Sequence, residues 1–228
     1  MLGDDGTDTL TDIFWLQFTA NQQRPGADQN HAAVSQVEEF VRIRPIIVSN
    51  SNGSNTAEFF GTAEQEREIK ALINDTYFQA KIEIRWEAAR PWNNTFANIG
   101  SGGTRPVDDF NRIIADGTTA GVTSGASRTL NMFFVEVAPG SGNLSENQVS
   151  GLAMDDVNGI TLYVGDNLPT FPEGRQTVAN VAAHEIAHNL GLEHVSATSN
   201  LMNPIVTSNN LNSAQTAIIR ESNFSRPV

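Results

Sequence analysis

The chain has 228 residues, with 14 Lys and Arg against 26 Asp and Glu, and a formal net charge of −12. Nucleic acids and anionic lipids need a basic surface, so neither is an expected partner. The absence of cysteine excludes disulfides, Cys-ligated zinc and thiol nucleophiles. Hydrophobic residues make up 39% of the chain, enough for a globular core. No apolar run approaches the roughly 18 residues of a membrane helix, which predicts a soluble protein without a membrane span.

The beginning of the chain differs in composition from the rest. Residues 1–37 are predicted to be an N-terminal extension or pro-segment, followed by one domain over residues 38–228. The acidic start, from Asp4 to Asp12, could bind calcium, but it lacks an EF-hand spacing and a solvated tail is the preferred interpretation. Residues 1–5 have neither the basic nor the apolar region of a secretion signal. An intracellular protein and a secreted protein that has lost its signal therefore both remain open.

The first regular elements are a strand and a helix. Residues 40–49 are typical of a strand, and Pro45 within it predicts an edge position or a bulge. Residues 63–79 have apolar residues at helical spacing. Thr62 with Gln65 three residues later forms a capping-box pattern, which predicts where this helix begins.

Further elements alternate along the chain up to about residue 164. We predict strands over 81–88, 130–137 and 159–164, a helix over 106–115, and a loop rich in Asn and Gly over 93–104. The order strand, helix, strand, helix, strand, strand predicts an α+β fold in which helices pack on a twisted mixed sheet.

The segment that carries chemistry is residues 184–194, His-Glu-Ile-Ala-His-Asn-Leu-Gly-Leu-Glu-His. On a helix, His184 and His188 lie at positions i and i+4, so both imidazoles share a face and can bind one metal ion. Glu185 lies about 100° round the helix from His184. There it stands beside the metal, where a general base can take a proton from a metal-bound water.

A third histidine reaches this metal only if the chain turns back. A continuing helix would place His194 roughly 9 Å beyond His188 along the axis. Gly191 can make the turn, because glycine adopts the left-handed conformation at little steric cost. By residue frequency, three His, one Glu and one Gly at these offsets are expected by chance on the order of 10⁻⁵ times. The pattern therefore predicts a three-histidine metal site.

These residues resemble the signature of the metzincin clan of zinc peptidases, HExxHxxGxxH followed by a methionine turn. The turn is Ser199-Asn-Leu-Met-Asn-Pro204, with Met202 eight residues after His194. This interval and the Leu-Met-x-Pro form are most similar to the matrixin (matrix metalloproteinase) branch, of bacterial type. The resemblance implies a metzincin-like catalytic domain over 38–228, with an active-site helix, a backing helix and a C-terminal helix. It also implies that Met202 forms an apolar floor under the imidazoles.

Two further stretches extend the resemblance. Ser150-Gly-Leu-Ala-Met154 resembles the matrixin edge strand that pairs with an extended substrate, although an ordinary loop is the alternative. Residues 211–219 are similar to the closing helix of the family, with Asn212 as its N-cap. The pocket wall after the methionine turn carries no charge, which predicts a preference for apolar or neutral substrate side chains. The residues expected to contact substrate are Gly151, Leu152 and Ala153 on the strand and Pro204, Ile205 and Val206 in the wall.

The sequence departs from the family where matrixins bind a second, structural zinc. Met154 stands in the place of a histidine that helps to bind that ion, so a single catalytic Zn²⁺ is expected. Asp155, Asp156 and Asp166 could hold Ca²⁺ instead, although a solvated acidic loop is the favoured alternative.

The resemblance implies a zinc metalloendopeptidase acting on protein or peptide substrates. One Zn²⁺ would take the three imidazoles and keep an open position for water, and Glu185 would be the general base in peptide-bond hydrolysis. A catalytically weak zinc-binding module of the same fold is one alternative. A structural zinc domain with a protein side chain in the fourth position is another. A monomer is expected, and secretion is implied by the resemblance alone.

Overall fold

The computed structural model describes residues 37–101, 106–126, 128–136, 150–154, 157–164, 170, 172–206 and 208–228. The predicted extension, apart from residue 37, lies outside these ranges. The calcium candidates Asp155, Asp156 and Asp166 lie outside them as well. Within the described ranges, no helix has the length and apolar character needed to cross a bilayer.

Seven strands and five helices make up the part of the chain that the structure describes. In chain order they are β1 (Glu39–Ser49), α1 (Ala63–Phe78), β2 (Ile82–Trp86), β3 (Arg90–Asn93), α2 (Thr95–Ile99), α3 (Pro106–Thr119), β4 (Thr129–Val135), β5 (Ser150–Met154), β6 (Val157–Tyr163), α4 (Pro172–Asn189), α5 (Ser213–Glu221) and β7 (Arg226–Pro227).

The strands form one mixed sheet. Its main path is β2-β1-β4-β6-β5, and β3 and β7 also pair with β1. Strands β2, β3 and β4 run parallel to β1, and β6 runs parallel to β4. Strands β5 and β7 are antiparallel to their neighbours. The predicted α+β fold with a mixed sheet is confirmed, and the stretch at 150–154 is a strand rather than a loop.

Two helix starts follow from local capping. The Thr62 side chain accepts a hydrogen bond from the Gln65 backbone N–H, and the Gln65 side chain accepts one from the Thr62 N–H at 2.6 Å. This is the capping box expected for α1. The same reciprocal arrangement joins Asn212 and Gln215 at the start of α5, which confirms Asn212 as its N-cap.

The predicted loop over 93–104 was wrong in its first half. Strand β3 ends at Asn93, and helix α2 spans Thr95–Ile99. The Asn94 side chain accepts a hydrogen bond from the Ala97 N–H at 3.0 Å, so an asparagine that marked a loop in the sequence is an N-cap. A five-residue helix is too short to show an apolar period, which explains why the pattern did not reveal it.

The edge position predicted from Pro45 was wrong, because β1 is an inner strand of the sheet. On one side Pro45 is paired in register with Met132 of β4. On the other side β2 pairs as far as Ile43, and β3 begins opposite Ile46. The Ile43 carbonyl accepts from Glu87 on that side, and residues two apart direct their backbone groups the same way. The N–H that proline lacks would therefore face the gap between two partner strands.

The sheet separates two hydrophobic clusters. On one face, β1, β4 and β6 pack against α1 and α4, with Ile43, Met132 and Leu162 fully buried. The opposite face carries a smaller cluster that includes Phe133 and Ile113. Helix α3 covers that face closely, since a side chain at Gly159 of β6 would lie 2.2 Å from Ile114. The first cluster contains the helix with the predicted metal ligands.

Candidate metal centre and active site

Helix α4 places three of the predicted site residues inside the protein. His184, Glu185 and His188 are 2%, 3% and 0% exposed. From Val178 to Asn189 every residue of the helix is buried, because the sheet lies on one side and α1 on another. Charged or protonatable groups are rarely buried unless they are paired or bind a metal, so this burial indicates a functional role.

The chain turns back at Gly191, as the sequence predicts. Gly191 has φ = +94°, in the left-handed region that favours glycine. The Leu192 N–H donates to the Ala187 carbonyl at 3.0 Å, and the Gly191 N–H donates to the His188 carbonyl at 2.9 Å. These two bonds define a Schellman motif. The reversal brings His194 back beside the end of the helix.

Two backbone carbonyls orient the helical imidazoles. His184 Nδ1–H donates to the Leu201 carbonyl, and His188 Nδ1–H donates to the Leu192 carbonyl, each at 2.7 Å. A neutral imidazole has one N–H, so these bonds place the acceptor lone pair of each ring on Nε2. Hydrogen bonds of this kind commonly fix the tautomer and direction of metal-binding histidines.

The three Nε2 atoms converge on one point. His184, His188 and His194 have pairwise Nε2 separations of 3.1 Å, and in the described residues they form the one group of His, Cys, Asp or Glu that could hold a metal. A tetrahedral site with Zn–N bonds of about 2.0–2.1 Å needs nitrogens about 3.3 Å apart. Lone pairs this close repel one another unless a cation accepts them. The donor set therefore fits a single Zn²⁺.

Glu185 follows His184 on α4 and packs against a neighbouring strand. It packs against Gly151 of β5, where a Cβ atom would lie 2.3 Å from the glutamate Cγ. Its charge also acts on Tyr77 of α1: burial raises the pKa of Tyr77 well above the ordinary value of 10.0, and the nearby Glu185 raises it further. The carboxylate therefore lies against β5 and acts electrostatically on Tyr77 of α1.

Tyr77 links α1 directly to α4. Its hydroxyl donates to the Ala183 carbonyl at 2.7 Å, one residue before the first histidine. With its pKa raised by burial, the hydroxyl keeps its proton at neutral pH and remains a donor. This bond fixes the position of α4 relative to α1 next to the metal site.

Met202 is fully buried in the turn that follows the third histidine. Its carbonyl accepts from the Val195 N–H at 2.8 Å, and its N–H donates to the Asn200 side chain at 2.9 Å. Asn200 in turn exchanges two side-chain hydrogen bonds with Gln215 of α5, at 2.8 and 3.0 Å. The methionine turn is therefore tied to the segment after His194 and to the closing helix.

The residues predicted to contact substrate occupy two places. On β5, Leu152 and Ala153 have buried side chains and Gly151 lies against Glu185. After the methionine turn, Val206 is buried, whereas Ile205 is 40% exposed and Pro204 lies between these extremes. Further along, the Gln79 side chain holds the backbone of Asn209 and Leu211. Contact between the substrate and the predicted residues of β5 and of the wall after the methionine turn stays a prediction.

The fold and the three-histidine motif together define a zinc metallopeptidase of the metzincin type. The family model described as Matrixin matches residues 73–218, more than half of the chain. The protein therefore belongs to the matrixin family. No curated protein matches the chain in sequence.

Several solved structures resemble the chain at low sequence identity. An archaemetzincin from Methanopyrus kandleri matches with a TM-score of 0.50 and 15% identity over 79% of this chain and 94% of its own. Metalloproteinase-II from Bacteroides fragilis matches with 0.49 and 14%, over 81% of this chain and 53% of its own. A zinc-dependent peptidase from Methanocorpusculum labreanum matches with 0.48 and 10%, over 78% and 99%. The first likeness supports the metzincin-like fold.

The sequence patterns did not indicate several residues that support the site. Tyr77, Asn189, Asn200 and Gln215 act through hydrogen bonds to distant segments, and local spacing does not reveal such partners. Of these four residues, only Gln215 belonged to a recognisable sequence pattern, the capping box that it forms with Asn212. That pattern could have indicated an ordered side chain, but not its bond to Asn200.

Proposed function

We propose that this protein is a zinc-dependent endopeptidase that hydrolyses peptide bonds in extended protein substrates. The observation that carries the proposal is the convergence of three Nε2 atoms at 3.1 Å beside a buried glutamate. His184, His188 and His194 would hold the metal. Three protein ligands are typical of catalytic zinc sites, whereas structural sites take four.

Glu185 would perform the proton transfers. When bound, zinc supplies a Lewis acid that lowers the pKa of a water molecule and polarises the substrate carbonyl. Glu185 would take a proton from the attacking water and deliver it to the leaving amine. Its burial supports this role, since a carboxylate in a water-poor site interacts more strongly with charge that develops nearby.

An extended substrate would pair with β5. This strand ends the main path of the sheet and pairs with β6 on one side. Leu152 and Ala153 have buried side chains, so a substrate would meet mainly the backbone of β5. Backbone pairing at a sheet edge supplies affinity that depends little on sequence, which is consistent with a protease that cleaves extended chains.

Selectivity would come from the wall formed by Pro204, Ile205 and Val206. None of these side chains is charged, and Val206 joins the main hydrophobic cluster. We expect a preference for an apolar or neutral residue after the cleaved bond. Profiling with a peptide library measures this preference, and a dominant choice of Asp, Lys or Arg would contradict it.

Secretion and a monomeric state complete the proposal. Secretion rests on the family resemblance, and fractionation of the source cells tests it. Sedimentation of the purified chain tests the monomer.

Metal analysis combined with a hydrolysis assay tests the function. The purified protein is expected to contain about one zinc per chain and to cleave casein or gelatin. A chelator should abolish cleavage, and added zinc should restore it. Glu185→Ala, purified in parallel, controls for contaminating proteases. Zinc without cleavage of any unfolded protein would instead indicate a catalytically weak zinc-binding module.

A further inference from the structure

The contact between Gly151 and Glu185 is closer than any side chain at position 151 would permit. A Cβ atom on Gly151 would lie 2.3 Å from Cγ, 2.6 Å from Cδ and 2.6 Å from Oε1 of Glu185. Non-bonded heavy atoms do not come this close, so Glu185 or the strand would have to move. Because Cγ is near the root of the side chain, rotation of the carboxylate alone would not relieve the overlap.

The backbone of Gly151 gives no separate reason for glycine. Gly151 is not among the described residues with a positive φ. An L-residue could therefore adopt this strand conformation without strain. Alanine in place of glycine would even lower the entropy of the unfolded chain. The three atoms nearest to a Cβ at position 151 all belong to Glu185, so the position of Glu185 disfavours a side chain there.

Hydrogen bonds from α4 hold the β5–β6 hairpin close to Glu185. Asn189, one turn beyond Glu185 on α4, donates its side-chain N–H₂ to the Met154 carbonyl at 3.4 Å and to the Gly159 carbonyl at 3.2 Å. Its carbonyl oxygen accepts from the Gly159 N–H at 3.3 Å. Asn189 is 4% exposed. The β5–β6 hairpin is thus bonded to the same helix that carries the glutamate.

We infer that Gly151 is a positioning residue for Glu185, and that its missing side chain sets where the general base stands. The inference rests on the proposed function for the catalytic consequence, but the steric relation can be measured without any turnover. In this arrangement the edge strand proposed to bind substrate also forms one wall around the catalytic carboxylate. A methyl group at 151 would push the base away from the reacting atoms while leaving the three histidines in place.

Kinetics and metal content of Gly151→Ala test the catalytic consequence. We expect kcat to fall about 100-fold, because a displacement of about 1 Å at a catalytic group can cost this much. Zinc should remain at about one per chain. Gly125→Ala is the matched control, since a Cβ at Gly125 meets nothing within 4 Å; it should keep wild-type kcat and zinc. A kcat for Gly151→Ala within threefold of wild type would overturn the inference.

A stability cycle separates positioning from a general need for glycine in β5. Gly151→Ala should lower the Tm by about 2–12 °C when Glu185 is present, the range for overpacking in a domain of this size. In a Glu185→Ala background the overlap is removed, so the same change should leave the Tm unchanged or raise it. An equal loss in both backgrounds, or failure of both Gly151→Ala proteins to fold, would overturn the inference. This cycle requires no peptidase activity, so its result stands apart from the test of function.

Discussion

Helices α1 and α4 pack on the same face of the sheet, but they are specified in different ways. Helix α1 begins at a capping box and buries one side, through Ile69, Ile73 and Tyr77. Helix α4 is buried continuously over its last three turns, polar residues included. It ends in a turn made by Gly191. The first helix is largely determined by its own sequence, and the second by the elements around it.

This difference separates stability from function along the chain. Changes in the local signals of α1 are expected to lower the free energy of unfolding and leave the metal site intact. Changes at the contacts of α4 are expected to alter zinc binding or turnover by more than their effect on stability would suggest. The following predictions test that separation, from the largest expected effect to the smallest.

Removal of the general base should have the largest effect on turnover. We expect Glu185→Ala to lower kcat by about 10²–10⁴-fold, the usual contribution of general acid–base catalysis. Zinc content should be unchanged, because the three imidazoles remain. Assays on casein with metal analysis of the same preparation measure both quantities. Near-normal turnover would remove Glu185 from the mechanism.

Alanine at Gly191 should weaken the metal site. The added methyl has room, since the nearest atom would be Ile218 Cγ2 at 3.6 Å, but φ of +94° disfavours any L-residue by about 1–2 kcal/mol. Relaxation of the turn would move the Leu192 carbonyl away from His188. Loss of such a partner typically weakens metal binding about 10–100-fold. Competition with a chelator measures the affinity; unchanged affinity would show that the turn does not control the ligand.

A change confined to the start of α1 should affect stability alone. We expect Thr62→Ala to lower the free energy of unfolding by about 1 kcal/mol, the usual cost of losing an N-cap. Zinc affinity and kcat should match wild type, because Thr62 lies at the far end of α1 from Tyr77. Denaturant unfolding and a casein assay measure the two properties. A loss of zinc in this variant would contradict the proposed separation.

Tyr77 connects the two helices and should show its effect at alkaline pH. Its raised pKa means that the folded protein holds the proton more tightly than the unfolded chain. The resulting stability is complete below about pH 10 and declines as the pH rises towards the folded-state pKa. Tyr77→Phe should cost about 1 kcal/mol at neutral pH through the lost hydrogen bond. The difference from wild type should shrink above pH 10; a constant difference would exclude this linkage.

The sequence predicted most of the elements because their signals are local. The capping pattern at Thr62 and Gln65, the apolar period of α1 and the strand patterns all act within a few residues. The position of Pro45 inside the sheet could not be predicted, because it depends on where β2 ends and β3 begins. Helix α2 was too short to show a periodic pattern of apolar residues.

The candidate site also has features that the sequence predicted and contacts that it did not. The spacing of His184, His188 and His194 with Gly191 predicted the turn that the structure contains, since these residues act through short segments. The supporting contacts of Gly151, Tyr77 and Asn189 join segments far apart in the chain. One sequence carries no direct record of such pairings, so they appeared only once the fold was known.

The zinc content of His194→Ala beside that of wild type tests the central claim most directly. Both proteins are loaded with zinc, freed of excess metal and analysed for bound ion per folded chain. We predict about one zinc per chain for wild type and a large loss for the variant, since only the turned-back imidazole has been removed. Equal zinc content in the two proteins would show that the three histidines do not share one metal ion.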